Sequence, residues 1–350
     1  MAGKSLDVPA TWRDIGMYDG LTMTTSMMTM ETETPVDDPA LTPSFEDALP
    51  PDFGRFLEGA IDLHVHGQPD LAERAQNRGD DAAVARLARA YGIRGWVLKS
   101  HLWPTMDRAR SVQQSLGDTD FRVIGSITLN PQVGGVDPTI VEWAADHGAG
   151  VVFMPTWGAR ADVDRWGYIS MLLERQTPNF RDWAESHAIT VARDGELTPA
   201  AEDAVRAAIS RDMLVATGHL GLEESLAVAR LCQQLGRPAM ITHPLHFTDD
   251  PGELRVFTDL GGILEFSSAP LINPESHHRV RDVAEAIRLL GPEHVVLSSD
   301  VFSRWVPPEP ESLRSFTEQL HYLGFTADEL RTMLVVNPHR LLGLPVPGAA

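Results

Sequence analysis

Residues 60–66 read Ala60-Ile61-Asp62-Leu63-His64-Val65-His66, a short apolar run that ends in two histidines two positions apart. Successive residues of a strand point to opposite faces, so His64 and His66 share one. Two imidazoles on one face at a strand's C-terminal end make half of a metal site. Later apolar runs end in residues that would supply the other half. His219 follows the run 213–217, His243 follows 239–242, and Asp300 follows 295–298.

Working outward, strand-like and helix-like segments alternate. Val84, Leu87, Ala88 and Tyr91 have helical spacing within 80–91, and Gly92 ends that helix. A strand over 93–98 runs into Lys99-Ser100-His101, a helix covers 105–116, and a strand covers 121–128. Asp137-Pro138 opens another helix, with proline in its first turn. A fourth strand covers 150–154 and leads into a long excursion, 155–190, that holds Trp157, Arg160, Trp166, Tyr168 and Trp183. A connection of that length is usually functional or carries an element of its own. Strands at 213–217, 239–242, 262–266 and 295–298 follow, separated by helices, and helices near 311–323 and 327–335 close the chain. Eight strands joined through helical crossovers predict an α/β fold, a (β/α)8 TIM barrel with an N-terminal extension and a long insertion after strand 4. In such a barrel active sites sit at the C-terminal ends of the strands. A doubly wound open sheet would serve its site from fewer strands. Strand ends bearing His, Lys or Asp at five places favour the barrel.

The chain has 350 residues, 43% hydrophobic and 22% charged, which is ordinary for a soluble globular protein with a large core. Its 29 basic and 49 acidic residues give a net charge of −20 and no Lys/Arg cluster. That excludes the basic footprint of a nucleic-acid binder and reads as a solvated acidic surface. The single cysteine, Cys232, rules out an intrachain disulfide and a cysteine zinc site. No run of about 18 apolar residues suggests a membrane span. The start, Met1-Ala2-Gly3-Lys4-Ser5, lacks the apolar core of a secretory signal, so a cytoplasmic protein is expected. Residues 1–53 form a partly irregular arm, with Met23, Met27, Met28 and Met30 among Thr and Ser, and the barrel is expected over 54–350.

Imidazole and carboxylate donors suit zinc and its relatives, and a catalytic ion lowers the pKa of a bound water. His64, His66, His219 and Asp300 form the candidate ligand set, with His243 and Lys99 as further candidates. Asp300 is also the candidate general base by position. His243 is the other candidate catalytic residue, holding a second ion or polarising the substrate. Zinc is the leading expectation and manganese the alternative, as one ion or two. The partner is a small-molecule substrate, and a homo-oligomer is possible.

The order His64-x-His66, Gly218-His219, Thr242-His243-Pro244 and Ser299-Asp300 resembles the amidohydrolase superfamily. The ending Asn337-Pro338-His339-Arg340-Leu341-Leu342-Gly343-Leu344 is similar to a terminus common there. The resemblance spans about 58–345. Within it, Ala216-Thr217-Gly218-His219-Leu220 and Ile241-Thr242-His243-Pro244 look closest to a group of predicted hydrolases distantly similar to phosphotriesterase-like lactonases. It implies a (β/α)8 barrel with one or two divalent metals and water as nucleophile. Amides, cyclic amides, esters and lactones are the implied substrates. A non-oxidative decarboxylase is the alternative enzyme, and a catalytically inactive barrel acting as a binding protein is the other. Deaminase-like members place a Glu three residues after the strand-five histidine, where this chain has Leu222.

One departure matters. Two-metal members often carry a carboxylated lysine or a Glu at the end of strand four, where this chain reads Phe153-Met154-Pro155. A lysine stands instead at the end of strand two. Lys99 would bridge two metals as a carbamate, bind a substrate anion, or pair with Asp62 or another rim acid. Without a bridge, a mononuclear site of His64, His66, His219 and Asp300 is favoured, with His243 acting on substrate. Arg304 and Trp157 join Lys99 as candidate substrate contacts. Glu265 is a candidate supporting acid, and His101 a loop residue that lends support. Asn130 and His246 have no assignment.

Overall fold

The computed structural model describes residues 54–67, 70–71, 80–117, 120–268, 276–301 and 306–348. The arm 1–53 and the loop residues Arg304 and Trp305 lie outside the described residues. Among the described residues there are ten strands: β1 (Ile61–His66), β2 (Gly95–Lys99), β3 (Arg122–Thr128), β4 (Ala149–Phe153), β5 (Ala192–Arg193), β6 (Glu196–Leu197), β7 (Leu214–Ala216), β8 (Ala239–Thr242), β9 (Ile263–Ser267) and β10 (Val295–Ser298). Eight of them form one sheet in the order β1-β2-β3-β4-β7-β8-β9-β10, and β5 pairs with β6 as a separate hairpin. Every recorded pairing in the large sheet is parallel. With helices around it, this is the expected (β/α)8 barrel.

The barrel interior is apolar, with Ile61, Leu63, Val97, Val151, Phe153 and Met240 in one buried cluster. A larger cluster lies between strands and helices, where Trp96, Phe121, Phe257, Phe316 and Phe325 are buried. The two layers follow from the period of two in each strand. Caps set the helix starts. Asp80 accepts from Ala83 N–H, Asp137 from Thr139 N–H beside Pro138, and Thr198 from Ala201 N–H. Among the described residues, no helix is long and apolar enough to cross a membrane.

The excursion after β4 folds as three short helices, Arg160–Arg165, Tyr168–Glu174 and Phe180–His187, followed by the β5–β6 hairpin. Its length therefore does carry elements of its own. They gather a small core that includes Trp157, Val163, Ile169, Leu173 and Phe180. A cavity of about 610 Å³ sits at the N-terminal ends of the strands, lined by Arg55, Arg94, Arg122, Arg331 and His339. It is larger than the cavity at the other end, but that end of a barrel serves stability.

The barrel closes between β10 and β1. Asp300 N–H donates to the His64 carbonyl at 3.0 Å. Asp62 straps the same seam, its Oδ1 accepting from His64 N–H at 3.1 Å and from Ser299 N–H at 3.2 Å. Its Oδ2 is buried without a partner. Burial pushes the Asp62 carboxyl up to about 7, against the hydrogen bonds from Ser299 and His64. An unfolded aspartate titrates near 3.9, so the folded chain binds the extra proton in between, and this group's contribution to stability falls as pH rises from about 4 to about 7. That gap corresponds to roughly 4 kcal/mol at most. Asp62→Asn keeps the acceptor and removes the charge. Urea unfolding at pH 5 and pH 8 is expected to show the parent losing stability towards pH 8 and the variant losing less. Asp62→Ala orphans two N–H groups and is expected to lose about 1–3 kcal/mol at either pH.

Candidate metal centre

Three strand ends turn through the left-handed region. Gly218, after β7, has φ +61°, and an added Cβ would stand 2.3 Å from the Met154 carbonyl oxygen. His243, after β8, has φ 49°, and Asp300, after β10, has φ 50°. Non-glycine residues pay for that conformation, and such strain concentrates at functional sites. The turns bring the side chains of three separate strand ends into one mouth.

Asp300 is the centre of the group. Its Oδ1 lies 3.1 Å from His64 Nε2 and 3.1 Å from His66 Nε2, and its Oδ2 lies 3.3 Å from His243 Nε2. His64, His243 and Asp300 each present a ligand atom within 4.8 Å of the other two. His219 stands at the edge, its ring 5.5 Å from that of His243. The structure thus brings His64, His66 and Asp300 together. It also places His243 inside the tight group and His219 beside it.

A carboxylate holds the Nδ1 of three of these rings. Glu265 Oε1 is 2.7 Å from His64 Nδ1, Asp70 Oδ2 is 2.6 Å from His66 Nδ1, and Asp162 Oδ2 is 3.2 Å from His219 Nδ1. Such a partner fixes a ligand imidazole's tautomer and orientation and leaves Nε2 for the ion. The acids are themselves held. Asp70 Oδ1 accepts from Ser100 Oγ, His101 N–H and Leu71 N–H, and Glu265 Oε1 accepts from Ser298 Oγ.

Burial opposes the charge on Asp300, but His64, His243 and His66 hold its carboxyl well below the usual carboxylate range. Burial lowers His64 and His243, so both are neutral donors at pH 7. His66 goes the other way: burial works against its charge, yet Asp300 and Asp70 outweigh it. Lys99 is fully buried, with Nζ 2.8 Å from His64 Nε2 and 4.9 Å from the centre of the Phe153 ring. Burial lowers its pKa against the pull of Asp300 and Glu265. It makes no ion pair with Asp62, whose carboxylate straps the seam. Asp70, Asp162, Glu265 and Asp300 are buried here against Lys99, the part-buried Arg165 and His66, whose proton Asp300 and Asp70 favour. A dry site with more carboxylates than cations favours a bound cation.

The mouth opens into a cavity of about 450 Å³, with Arg165, Trp166, Met171, Leu245 and Phe266 among its walls and His243 and Glu265 at its floor. Trp157 is not in that lining. It is buried, donates from Nε1 to the His101 carbonyl at 3.1 Å, and packs on Phe180 and Trp183. It anchors the excursion, so its expected contact with substrate has no support in the geometry. Arg160 is surface-facing and bonds Asp164 and the Glu185 carbonyl. His101, expected on a loop, is buried and stacks on His66 with ring centres 4.7 Å apart. Asn130 ties the His101 carbonyl to Thr156, and His246 stacks on His243 at 4.5 Å.

Residues 59–265 match a family of unknown function, DUF6282. The chain belongs to that family. No curated protein matches the chain by sequence. Among solved structures, an amidohydrolase from Pseudomonas aeruginosa superposes with a TM-score of 0.58 at 13% identity, over 84% of this chain and 98% of that one. The phosphotriesterase homology protein from Escherichia coli, complexed with phosphate in its active site, gives 0.55 at 17% identity, over 82% and 99%. The probable dipeptidase PvdM from P. aeruginosa gives 0.54 at 13%, over 83% and 96%. At these identities the likeness is one of fold, and the fold is the amidohydrolase and phosphotriesterase-like barrel.

In this DUF6282 chain the sequence pattern passes over Asp70 and Asp162. Neither ends an apolar run, because one lies on the loop after β1 and the other on a helix of the excursion. Gly218 carries a direct test of the left-handed turn. Gly218→Ala is expected to lose at least about 2 kcal/mol in urea unfolding, since a methyl there meets backbone rather than a movable side chain.

Proposed function

We propose that the chain is a metal-dependent hydrolase that uses an activated water on an ester, lactone, amide or cyclic amide of a small molecule. The observation that carries this reading is the convergence of His64, His66 and His243 on the Asp300 carboxylate, inside a buried ring with an excess of acids. A divalent ion would be held by His64, His243 and Asp300, with His66 and His219 as the further donors. The imidazole-rich set suits zinc first and manganese second. When bound, the ion supplies Lewis acidity and lowers the pKa of water towards neutrality.

The chain's own groups do the rest. Asp300 is ionised at neutral pH, and its Oδ2 is the proton acceptor for the attacking water. His243 Nε2, 3.3 Å from that oxygen, is kept neutral by burial and stays with the ion, so Asp300 itself delivers the proton to the leaving group. The walls contributed by Trp166, Met171, Leu245 and Phe266 exclude water from the mouth and fit a small, largely apolar substrate. Lys99 Nζ, 2.8 Å from His64 Nε2, supplies a donor for a substrate oxygen.

Elemental mass spectrometry on protein purified without a histidine tag tests the reading. About one equivalent of zinc or manganese is expected in the parent and a loss of it in Asp300→Ala and His243→Ala. Asp300→Ala is also expected to cut turnover of an active ester, lactone or amide at least about 100-fold. Two equivalents would direct attention to Lys99 as a carbamate bridge. A parent that takes up no metal after reconstitution would sink the mechanism.

A further inference from the structure

The three-helix excursion is more than a cover for the mouth. Its first helix, Arg160–Arg165, carries Asp162, whose side chain is 1% exposed. Asp162 faces two ways. Its Oδ1 accepts from Arg165 at 2.5 Å, and its Oδ2 lies 3.2 Å from His219 Nδ1. The Arg165 guanidinium holds the carboxylate from the side away from His219. An anion at that distance needs a proton on Nδ1. The Nε2 of His219 is then left with its lone pair.

The excursion is also tied to a second histidine. Leu71 packs in the excursion's own core, and its backbone N–H donates to Asp70 Oδ1, the carboxylate that orients His66. The His219 backbone in turn donates to the Pro155 carbonyl, where the excursion begins. Asp162 is therefore set by the excursion, and Asp70 is tied to it through Leu71 as well as to the end of β2 through Ser100 and His101.

We propose that Asp162 is a positioning residue, through which the excursion fixes the tautomer of His219 and tunes the affinity of the metal centre. This deepens the reading of a metal centre and rests on it. Asp162 touches neither substrate nor reacting atoms and acts only through His219.

The test uses the full chain and zinc ion as the probe. Zinc affinity is measured by competition with a chelating dye for the parent, Asp162→Asn, Asp162→Ala and Arg160→Gln. Arg160→Gln removes a surface charge from the same helix without touching His219. Thermal unfolding of the metal-free proteins reports the fold. Side-chain 1H–15N spectra of the metal-free proteins, with His219 assigned by its Asn variant, report the tautomer. The expected result is a loss of zinc affinity of about 10- to 100-fold in Asp162→Ala, a smaller loss in Asp162→Asn, and none in Arg160→Gln. The Nδ1–H tautomer of His219 should dominate in the parent and give way in Asp162→Ala. If Asp162→Ala fails to fold, Asp162→Asn carries the comparison. Equal zinc affinity and an unchanged tautomer in the Asp162 variants would overturn the proposal. So would a loss of affinity shared by Arg160→Gln, because that marks a general effect of the helix. A parent that binds no zinc defeats the metal reading instead, and the tautomer spectra still decide what Asp162 does to His219.

Discussion

One residue closes the barrel and organises its mouth. The backbone N–H of Asp300 donates to the His64 carbonyl across the β10–β1 seam, and its carboxylate meets the imidazoles of His64, His66 and His243. Fold and site are therefore coupled at a single position. The left-handed conformation of Asp300 is what lets both ends of the residue point the right way. It is tolerated because the seam hydrogen bond and the three imidazoles together over-determine it.

The barrel was legible from the sequence because its signal is repeated. Each strand ends where an apolar run meets a polar residue, and the rule that sites gather at those ends turns such a list into a constellation. The supporting shell was less legible. Glu265 is visible as an acid within a strand, one residue from Phe266, but Asp70 and Asp162 sit in segments with no strand period. Their roles depend on where a loop and a short helix lie in space, which no local pattern encodes. Trp157 shows a second limit of local patterns. An aromatic residue next to a strand end looks like a substrate contact, yet its ring is needed to seat the excursion, where it packs on Phe180 and caps the His101 carbonyl.

The ending Asn337-Pro338-His339 was readable only by resemblance, and the structure gives it a physical task. Asn337 Nδ2 donates to the carbonyls of Pro292, at 3.1 Å, and Val295, at 2.7 Å, at the entry to β10. Leu341 from the same short helix is buried in the apolar interior of the barrel. The last helix thus fixes the start of β10 and plugs the barrel from below. The same strand carries Asp300 at its other end.

This division of labour explains how the mouth can hold so much that is costly. Buried carboxylates, a buried lysine and two non-glycine residues in left-handed turns all act against folding. The opposite end supplies the compensation, with an apolar interior, a capped strand start and helices that cover the outer face of the sheet. A barrel separates these demands by distance along its strands, so the mouth keeps charges that only a bound cation would fully satisfy. The chain folds around a site still short of positive charge, and that shortage is what supports the reading of a bound cation.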